Sequence, residues 1–130
     1  MAERVLLDTH ALIYWAVDPR KLSAAATRLI EDGDNEVYVS AVSAMEIATK
    51  VRIGKLRIAE GLARGFGRQM SERGFVELGL TCDHAELAGS YPSPHNDPWD
   101  RLIAAQASIE DLTLITNDPQ MGTFSIKTLW

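Results

Sequence analysis

The sequence predicts an α/β protein with three layers, in which helices cover both faces of a central, mostly parallel and twisted sheet. Short apolar or β-branched runs alternate along the chain with segments whose apolar residues recur at helical spacing. Parallel strands need crossover connections of this kind, and such crossovers are right-handed. Because neither a linker nor a repeat divides the chain, residues 1–130 are expected to form a single domain.

The first half of the chain supplies two strands and three helices. Each element is bounded by a residue that favours a helix start, a helix stop or a turn. In order, they are a strand at 5–7, a helix at 10–17, a helix at 24–31 capped by Ser23, a strand at 37–39, and a helix at 43–53 that Gly54 ends.

The second half begins with the least regular part of the sequence. Residues 59–73 are expected to form one helix, although the glycines at 61, 65 and 67 weaken it. The remaining elements are a strand at 75–78, a short helix opened by Thr81, a helix at 98–110, and strands at 112–115 and 126–129.

Charge is unevenly distributed along the chain. The net charge is −5, which taken alone argues against a nucleic-acid partner. Residues 50–73, however, carry seven basic side chains and two acidic ones. This basic stretch fits a basic rim beside an acidic centre, and it fits a solvated helix face equally well.

The cysteine content and the apolar runs bear on the compartment. The single Cys82 excludes an intramolecular disulfide and a multi-cysteine zinc cluster, and it is expected to be a small buried hydrophobe. The apolar run at 11–17 is too short to cross a bilayer, and it follows Asp8 and His10 where a signal peptide would carry basic residues. We therefore expect a cytoplasmic protein with no membrane partner.

Four acidic residues fall at the same edge of the predicted sheet. Parallel strands bring their carboxyl ends together, so acids placed there converge from distant parts of the sequence. Asp8 closes the first strand, Glu46 lies near the start of the helix after the second, Asp100 lies in the first turn of the helix at 98–110, and Asp118 follows the strand at 112–115.

Each acid also has an ordinary structural interpretation. Asp8 could cap a helix, Asp97 before Pro98 suits a helix cap, Ser43 and Glu46 have the spacing of a capping box, and Asp118 before Pro119 could start a turn. The group is more informative, because four like charges repel one another unless a cation or a raised pKa relieves them. Oxygen ligands without a cysteine or histidine cluster suit Mg²⁺ or Mn²⁺, and Mg²⁺ is commonly shared with substrate phosphate. The three histidines lie far apart in sequence and are assigned no role.

Four short segments carry these acids in order: LLDTHA at 6–11, VSAVSAMEI at 39–47, HNDPWDRLIAAQA at 95–107 and LITND at 114–118. They resemble the motifs of the PIN-domain family, specifically those of VapC-type toxins from bacterial toxin–antitoxin pairs, and the resemblance runs from Val5 to Trp130. Met45 stands where these toxins often have Trp, and Trp99 where many have Phe. Both are expected to be packing residues beneath the site.

The resemblance implies that residues 1–130 form a single PIN-like nuclease domain, a metal-dependent endoribonuclease that cuts single-stranded RNA with Mg²⁺ or Mn²⁺. It makes Asp8 and Asp100 the best metal ligands, with Glu46 and Asp118 completing the acidic pocket. It gives supporting roles to Thr9, Thr116 and Asn117, which would orient water or phosphate, to Arg101, which would contact substrate or form an ion pair, and to Asp97, which capping also explains. It further implies a homodimer and a protein antitoxin, whose contact is expected on the helices around 43–73.

Two other functional classes fit parts of the sequence. A phosphotransfer enzyme or receiver of similar topology also ends its first strand at an Asp, but a haloacid-dehalogenase-like phosphatase needs a second Asp where His10 stands. A receiver needs its phosphorylated Asp after the third strand, where the chain reads LGLT at 78–81. A non-catalytic binding module would use the basic stretch for docking and the acids only as caps.

Overall fold

A five-stranded parallel sheet forms the centre of the protein. The structure, a computed structural model, describes residues 2–130. The strands are β1 (Arg4–Leu7), β2 (Glu36–Ser40), β3 (Val76–Leu78), β4 (Thr113–Ile115) and β5 (Thr128–Leu129), and they lie side by side in the order β3-β2-β1-β4-β5. All four strand pairs are parallel, which confirms the predicted fold class.

Six α-helices and three short 3-10 helices connect the strands. The α-helices are α1 (Thr9–Val17), α2 (Ala24–Glu31), α3 (Ala41–Arg52), α4 (Phe66–Glu72), α5 (Cys82–Ser90) and α6 (Pro98–Ile109). The 3-10 helices span Pro19–Lys21, Arg57–Leu62 and Pro119–Phe124, and the first and last of these were not expected from the sequence. Within residues 2–130, no helix has the length and apolarity needed to cross a bilayer.

The hydrophobic core has two parts, one on each face of the sheet. Successive strand residues point to opposite faces, so Val5 and Leu7 join one cluster while Leu6 joins the other. The first cluster is filled from α1, α2 and α4, and the second mainly from α6 through Ile103 and its neighbours. Helices therefore cover both faces, and the three-layer prediction is confirmed.

The helix predicted at 59–73 is wrong as a single element. The structure has a 3-10 helix at Arg57–Leu62 and then α4 at Phe66–Glu72. Gly65 lies between them with φ +64°, in the left-handed region that a continuous right-handed helix does not use. Gly65, which the sequence interpretation treated only as a weak point of one helix, thus separates the 3-10 helix from α4.

The start of α3 also differs from the prediction. The helix begins at Ala41, and its cap is Ser40, whose hydroxyl accepts a hydrogen bond from the N–H of Val42 at 2.9 Å. The same hydroxyl donates to Oε1 of the buried Gln106 of α6 at 2.5 Å. The predicted capping box of Ser43 and Glu46 does not form, which leaves both side chains free for contacts at the edge of the sheet.

Two side chains predicted to be buried are exposed. Cys82 occupies the first position of α5 and faces solvent. Met45 is 62% exposed because it lies on the outer face of α3, whereas Glu46 and Ile47 turn inward. Trp99 does pack against the cluster around Ile103, as expected.

Candidate metal centre

The four predicted acids lie around the carboxyl-terminal edge of the sheet. Asp8 follows β1 directly, Asp118 comes three residues after β4, and Glu46 and Asp100 lie on the early turns of α3 and α6. Asp8 and Glu46 are buried, with exposures of 4% and 3%, and the other two are half-buried. The geometry therefore matches the convergence that the sequence predicts.

Asp8 is held by hydrogen bonds at both carboxylate oxygens. Oδ1 accepts from the N–H of Thr9 at 2.8 Å, and Oδ2 accepts from the hydroxyl of Thr116 at 2.6 Å. Burial raises the pKa of Asp8, with a further contribution from the charge of Glu46, and the two hydrogen bonds oppose that rise. Asp8 also caps α1, as one interpretation of the sequence expected.

Thr116 links two of the acids. While its hydroxyl donates to Asp8, it accepts from the N–H of Asp118 at 3.1 Å. Oδ1 of Asp118 in turn accepts from the N–H of Gln120 at 2.9 Å and caps the last 3-10 helix. Asn117, between Thr116 and Asp118, is exposed at the rim.

Glu46 has one paired and one unpaired carboxylate oxygen. Oε2 accepts from Nζ of Lys50 at 2.5 Å, one helical turn along α3. Oε1 is buried and has no hydrogen-bond partner among residues 2–130. A buried carboxylate oxygen without a partner is costly, so this atom fits a site that a cation completes.

Asp100 has the largest pKa shift among the acids at this edge. Its Oδ2 lies 2.7 Å from Nε2 of His95. Burial raises the pKa of Asp100 to about 6, helped by the charges of Asp8 and Asp97, although the hydrogen bond to His95 opposes the rise. A carboxylate kept partly protonated by burial and like charges is one that a divalent cation would ionise.

Two of the supporting residues have structural partners that explain their positions. Oδ1 of Asp97 accepts from the N–H groups of Trp99 and Asp100 at 2.9 and 3.3 Å, so Asp97 caps α6. The hydroxyl of Thr9 lies 2.8 Å from the buried hydroxyl of Ser43. This contact ties the start of α1 to α3 and fixes Asp8 relative to Glu46.

Arg101 does not have the ion pair that the sequence suggested as one of its two roles. Its guanidinium donates to four backbone carbonyls instead, those of Ala88, Tyr91, Ser93 and His95, at 2.6–3.2 Å. Its donors are directed to α5 and the loop before α6, which accounts for the position of Arg101 without a substrate contact. It holds that loop, and therefore His95, in place.

The sequence interpretation gave no role to the histidines, and the structure corrects this at two of them. His84 caps α5, where its Nδ1 accepts from the N–H of Thr81 at 3.0 Å, and its Nε2 lies 2.8 Å from the carboxylate of Glu110. His95 contacts Asp100 directly. Its position in the loop just before the cap of α6 was the available signal, since that loop must approach the first turn of the helix.

Lys50 is the other residue that the sequence interpretation did not place at the site. Burial alone would lower the pKa of Lys50, but its hydrogen bond to Glu46 and the charges of Glu46, Asp97 and Asp100 raise it. The ammonium group therefore faces the acidic pocket and partly neutralises it.

Possible metal-ligand atoms of His95, Asp100 and Asp118 form a close group of three. One atom from each lies within 4.8 Å of the other two, and no other such trio of His, Cys, Asp or Glu occurs in residues 2–130. The charge of Asp8 acts on Asp100 of this trio, and the charge of Glu46 acts on Asp8. The donor set is rich in oxygen, which fits a hard divalent cation.

The fold and the site define an α/β protein with acids gathered at the carboxyl ends of its parallel strands, and comparison with known proteins gives the family. The PIN domain family matches residues 5–126, and the chain belongs to that family. Among curated proteins it is similar to Ribonuclease VapC22 of Mycobacterium tuberculosis, with 34% identity over 118 residues, which cover 90% of this chain and 88% of that protein. The chain is thus a homologue of a VapC ribonuclease.

Solved structures share the fold at lower sequence identity. VapBC2 from Rickettsia felis, bound to a DNA fragment from its promoter, has a TM-score of 0.68 at 17% identity, covering 97% of each chain. FitAcB from Neisseria gonorrhoeae gives 0.64 at 22%, covering 97% of this chain and 96% of that one. DNA-bound VapBC from Salmonella typhimurium gives 0.65 at 18%, covering 99% and 98%.

Proposed function

We propose that the chain is a metal-dependent endoribonuclease and the toxin of a toxin–antitoxin pair, with residues 1–130 forming one nuclease domain. The observation that carries the metal dependence is the unpaired buried Oε1 of Glu46, beside acids whose pKa values burial raises. The family match and the VapC ribonuclease relative support RNA cleavage. They also favour this function over a phosphotransfer enzyme or a binding module.

Asp8 and Asp100 would hold Mg²⁺ or Mn²⁺, and Glu46 and Asp118 would complete the pocket, directly or through water. A divalent cation bound there would lower the pKa of the attacking water and neutralise charge on the scissile phosphate. These four acids are the catalytic residues of the proposal.

The other residues at the edge position this pocket. Thr116 holds Asp8 and Asp118 together, and Thr9 holds the start of α1 against Ser43. Asn117 is exposed at the rim, where its amide can donate to a phosphate oxygen. Lys50 supplies a cation that can move from Glu46 to the RNA backbone when a metal ion pairs with Glu46.

We infer the partners of this chain from the proteins to which it is similar. The similar solved structures are those of VapBC and FitAcB proteins. By analogy, we infer a cognate antitoxin that binds the helices around residues 43–73, a homodimer of this chain, and action on single-stranded RNA in the cytoplasm. The exposed Met45 and Ile53, at α3 and its end, give that surface apolar anchors.

The test is cleavage of a mixed pool of single-stranded RNA by the purified wild-type protein and by Asp8→Asn, each with Mg²⁺, Mn²⁺ or EDTA. Asp34→Asn is the matched control, because Asp34 is exposed and precedes β2 at the opposite edge of the sheet. We expect cleavage by the wild type and by Asp34→Asn that requires metal, and a loss of at least about a hundredfold in Asp8→Asn.

Two outcomes would contradict the proposal. Cleavage that persists in Asp8→Asn would show that the nuclease activity belongs to a contaminant or to another site. Cleavage by the wild type at an equal rate in EDTA would remove the metal from the mechanism.

A further inference from the structure

His95 is held in place from several directions. Its backbone N–H donates to the hydroxyl of Ser93 at 3.2 Å, and its carbonyl accepts from Arg101 at 2.8 Å. Its ring lies 5.9 Å from the ring of Phe124, measured between centroids. The side chain is only 16% exposed, so the imidazole is presented to the acidic edge in one fixed orientation.

The distances around His95 suit coordination of one ion. Nε2 lies 2.7 Å from Oδ2 of Asp100, and a ligand atom of Asp118 lies within 4.8 Å of both. Two neighbouring ligands of an octahedral ion with bonds of about 2.1 Å are separated by roughly 3.0 Å, and opposite ligands by roughly 4.2 Å. Because the atom of Asp118 can be opposite only one of the other two ligands, it must come to roughly 3.0 Å from at least one of them, a movement of at most about 2 Å from the 4.8 Å limit that rotation of the half-buried Asp118 side chain can supply.

We propose that His95, Asp100 and Asp118 form a cation position with a nitrogen ligand, and that His95 biases the site toward Mn²⁺ over Mg²⁺. This inference rests on the proposed metal-dependent function and adds a ligand to it. The charge of Asp8 acts on Asp100, so the carboxylate of Asp100 can serve both this position and an ion held by Asp8.

The chemical basis is the difference between nitrogen and oxygen donors. Mg²⁺ binds carboxylates, carbonyls and water, and gains little from an imidazole, whereas first-row transition ions accept imidazole nitrogen readily. Entry of the ion replaces the proton between Nε2 and Oδ2, and that proton leaves to solvent. An all-oxygen pocket would lack this preference.

The contact between His95 and Asp100 has a second interpretation, a structural hydrogen bond that orients the carboxylate. Both interpretations predict that removal of His95 disturbs activity, so activity does not separate them. A signal from the nitrogen nucleus itself does, because direct coordination couples it to the electron spin of Mn²⁺ much more strongly than a hydrogen bond to a ligand does.

The experiment is electron spin-echo envelope modulation on the full chain with Mn²⁺ at less than one equivalent. We expect modulation from a directly bound ¹⁴N nucleus, and its replacement by ¹⁵N frequencies when only histidine is ¹⁵N-labelled. The labelled wild-type protein needs no substitution, so a folding defect cannot produce or remove the result.

Two variants assign the nitrogen. His95→Gln should abolish the modulation, whereas His10→Gln should keep it. His10 is a matched control because it is exposed beside Asp8 and its charge acts on that acid. We also expect His95→Gln to weaken Mn²⁺ binding about tenfold or more while Mg²⁺ binding changes little, as measured by calorimetry.

The outcomes separate this inference from the proposed function. Bound Mn²⁺ without nitrogen modulation overturns the role of His95 and leaves the oxygen-ligated nuclease site standing. Modulation that survives in His95→Gln and disappears in His10→Gln also overturns it, because the nitrogen then belongs to the Asp8 side. Failure to bind Mn²⁺ while Mg²⁺ still binds overturns this inference alone, and failure to bind either ion contradicts the proposed function as well.

Discussion

At the scale of single residues, the acidic edge is organised around charges that the fold does not neutralise. Asp8 and Glu46 are almost fully buried, and Asp100 is surrounded by Asp8 and Asp97. The neighbouring partners are the ammonium group of Lys50, which pairs with Glu46, and the imidazole of His95, which hydrogen-bonds to Asp100. Ionising Asp100 therefore costs more free energy in the folded protein than in the unfolded chain until a cation binds.

Because of this cost, the free energy of unfolding depends on pH. The pKa of Asp100 is about 6 in the folded protein against an ordinary 3.8, so the folded state holds this proton more tightly than the unfolded chain does. The stability gained from that proton is complete below the unfolded pKa and is lost as the pH rises through the folded pKa.

We expect Asp100→Asn to be more stable than the wild type near neutral pH in EDTA, because the amide carries no charge to bury. The gain should be about 1–2 kcal/mol, less than the full shift would give because solvent still reaches the carboxylate, and it should disappear toward pH ~4. Urea unfolding across this pH range measures it. A variant that is less stable than the wild type at neutral pH would contradict the expectation, and exposed Asp34→Asn controls for removal of an ordinary charge.

At the scale of elements, the loop from α5 to α6 is stabilised by one side chain. Arg101 reaches back from α6 to four carbonyls at residues 88–95, and its charge makes each hydrogen bond stronger than a neutral one. Since these acceptors are backbone groups, their stabilisation should not be screened in the way a surface ion pair is.

Arg101→Lys keeps the charge but lacks the planar fork of donors, so most of these carbonyls lose their partner. We expect a destabilisation of about 2–3 kcal/mol that differs little between low and high NaCl, measured by urea unfolding. Arg68→Lys is the control, because the Arg68–Glu72 pair is exposed and should contribute less than about 1 kcal/mol. A small effect of Arg101→Lys that salt removes would show that the residue acts as an ion-pair partner after all.

The break between the 3-10 helix at Arg57–Leu62 and α4 depends on one glycine. Gly65 has φ +64°, whereas Gly61 has an ordinary φ and open space around it. We expect Gly65→Ala to cost about 1–2 kcal/mol and Gly61→Ala to be neutral or slightly stabilising. Thermal unfolding of both variants checks this, and equal effects at the two positions would contradict it. A β-carbon at Gly65 would meet only the end of the Arg68 side chain, which can move, so the backbone is the cause of the cost.

At the scale of the whole molecule, the sequence predicted features that repeat or lie at element ends. The alternation of strands and helices specified the parallel sheet, and the ends of β1 and β4 located Asp8 and Asp118. The roles of Ser43 and His95 were not predicted: the contact of Ser43 joins segments distant in sequence, and that of His95 depends on the course of a loop whose position before α6 was its only signal. Local rules assigned Ser43 to the start of its own helix, where Ser40 lies instead.

The sequence left two interpretations of the basic stretch at residues 50–73, a basic rim beside the acidic centre and a solvated helix face. Lys50 pairs with Glu46 at the acidic pocket, and Arg52, Lys55 and Arg57, which follow it in the sequence, are exposed. The proposed nuclease function predicts that these cations bind the phosphate backbone of RNA, whereas a solvated face predicts no preference for them over other surface cations.

We therefore expect the triple variant Arg52→Ala, Lys55→Ala and Arg57→Ala to bind single-stranded RNA more weakly, in an Asp8→Asn background that prevents cleavage. The slope of log affinity against log salt should become shallower by about 0.7 for each phosphate group that the variant no longer neutralises. Fluorescence anisotropy over a range of NaCl concentrations measures both quantities. Replacing the exposed cations Arg20, Lys21 and Arg28 by Ala removes the same charge from another surface and should leave the slope nearly unchanged. Equal effects of the two triple variants would show that RNA responds to net charge alone, and the basic stretch would then be a solvated face.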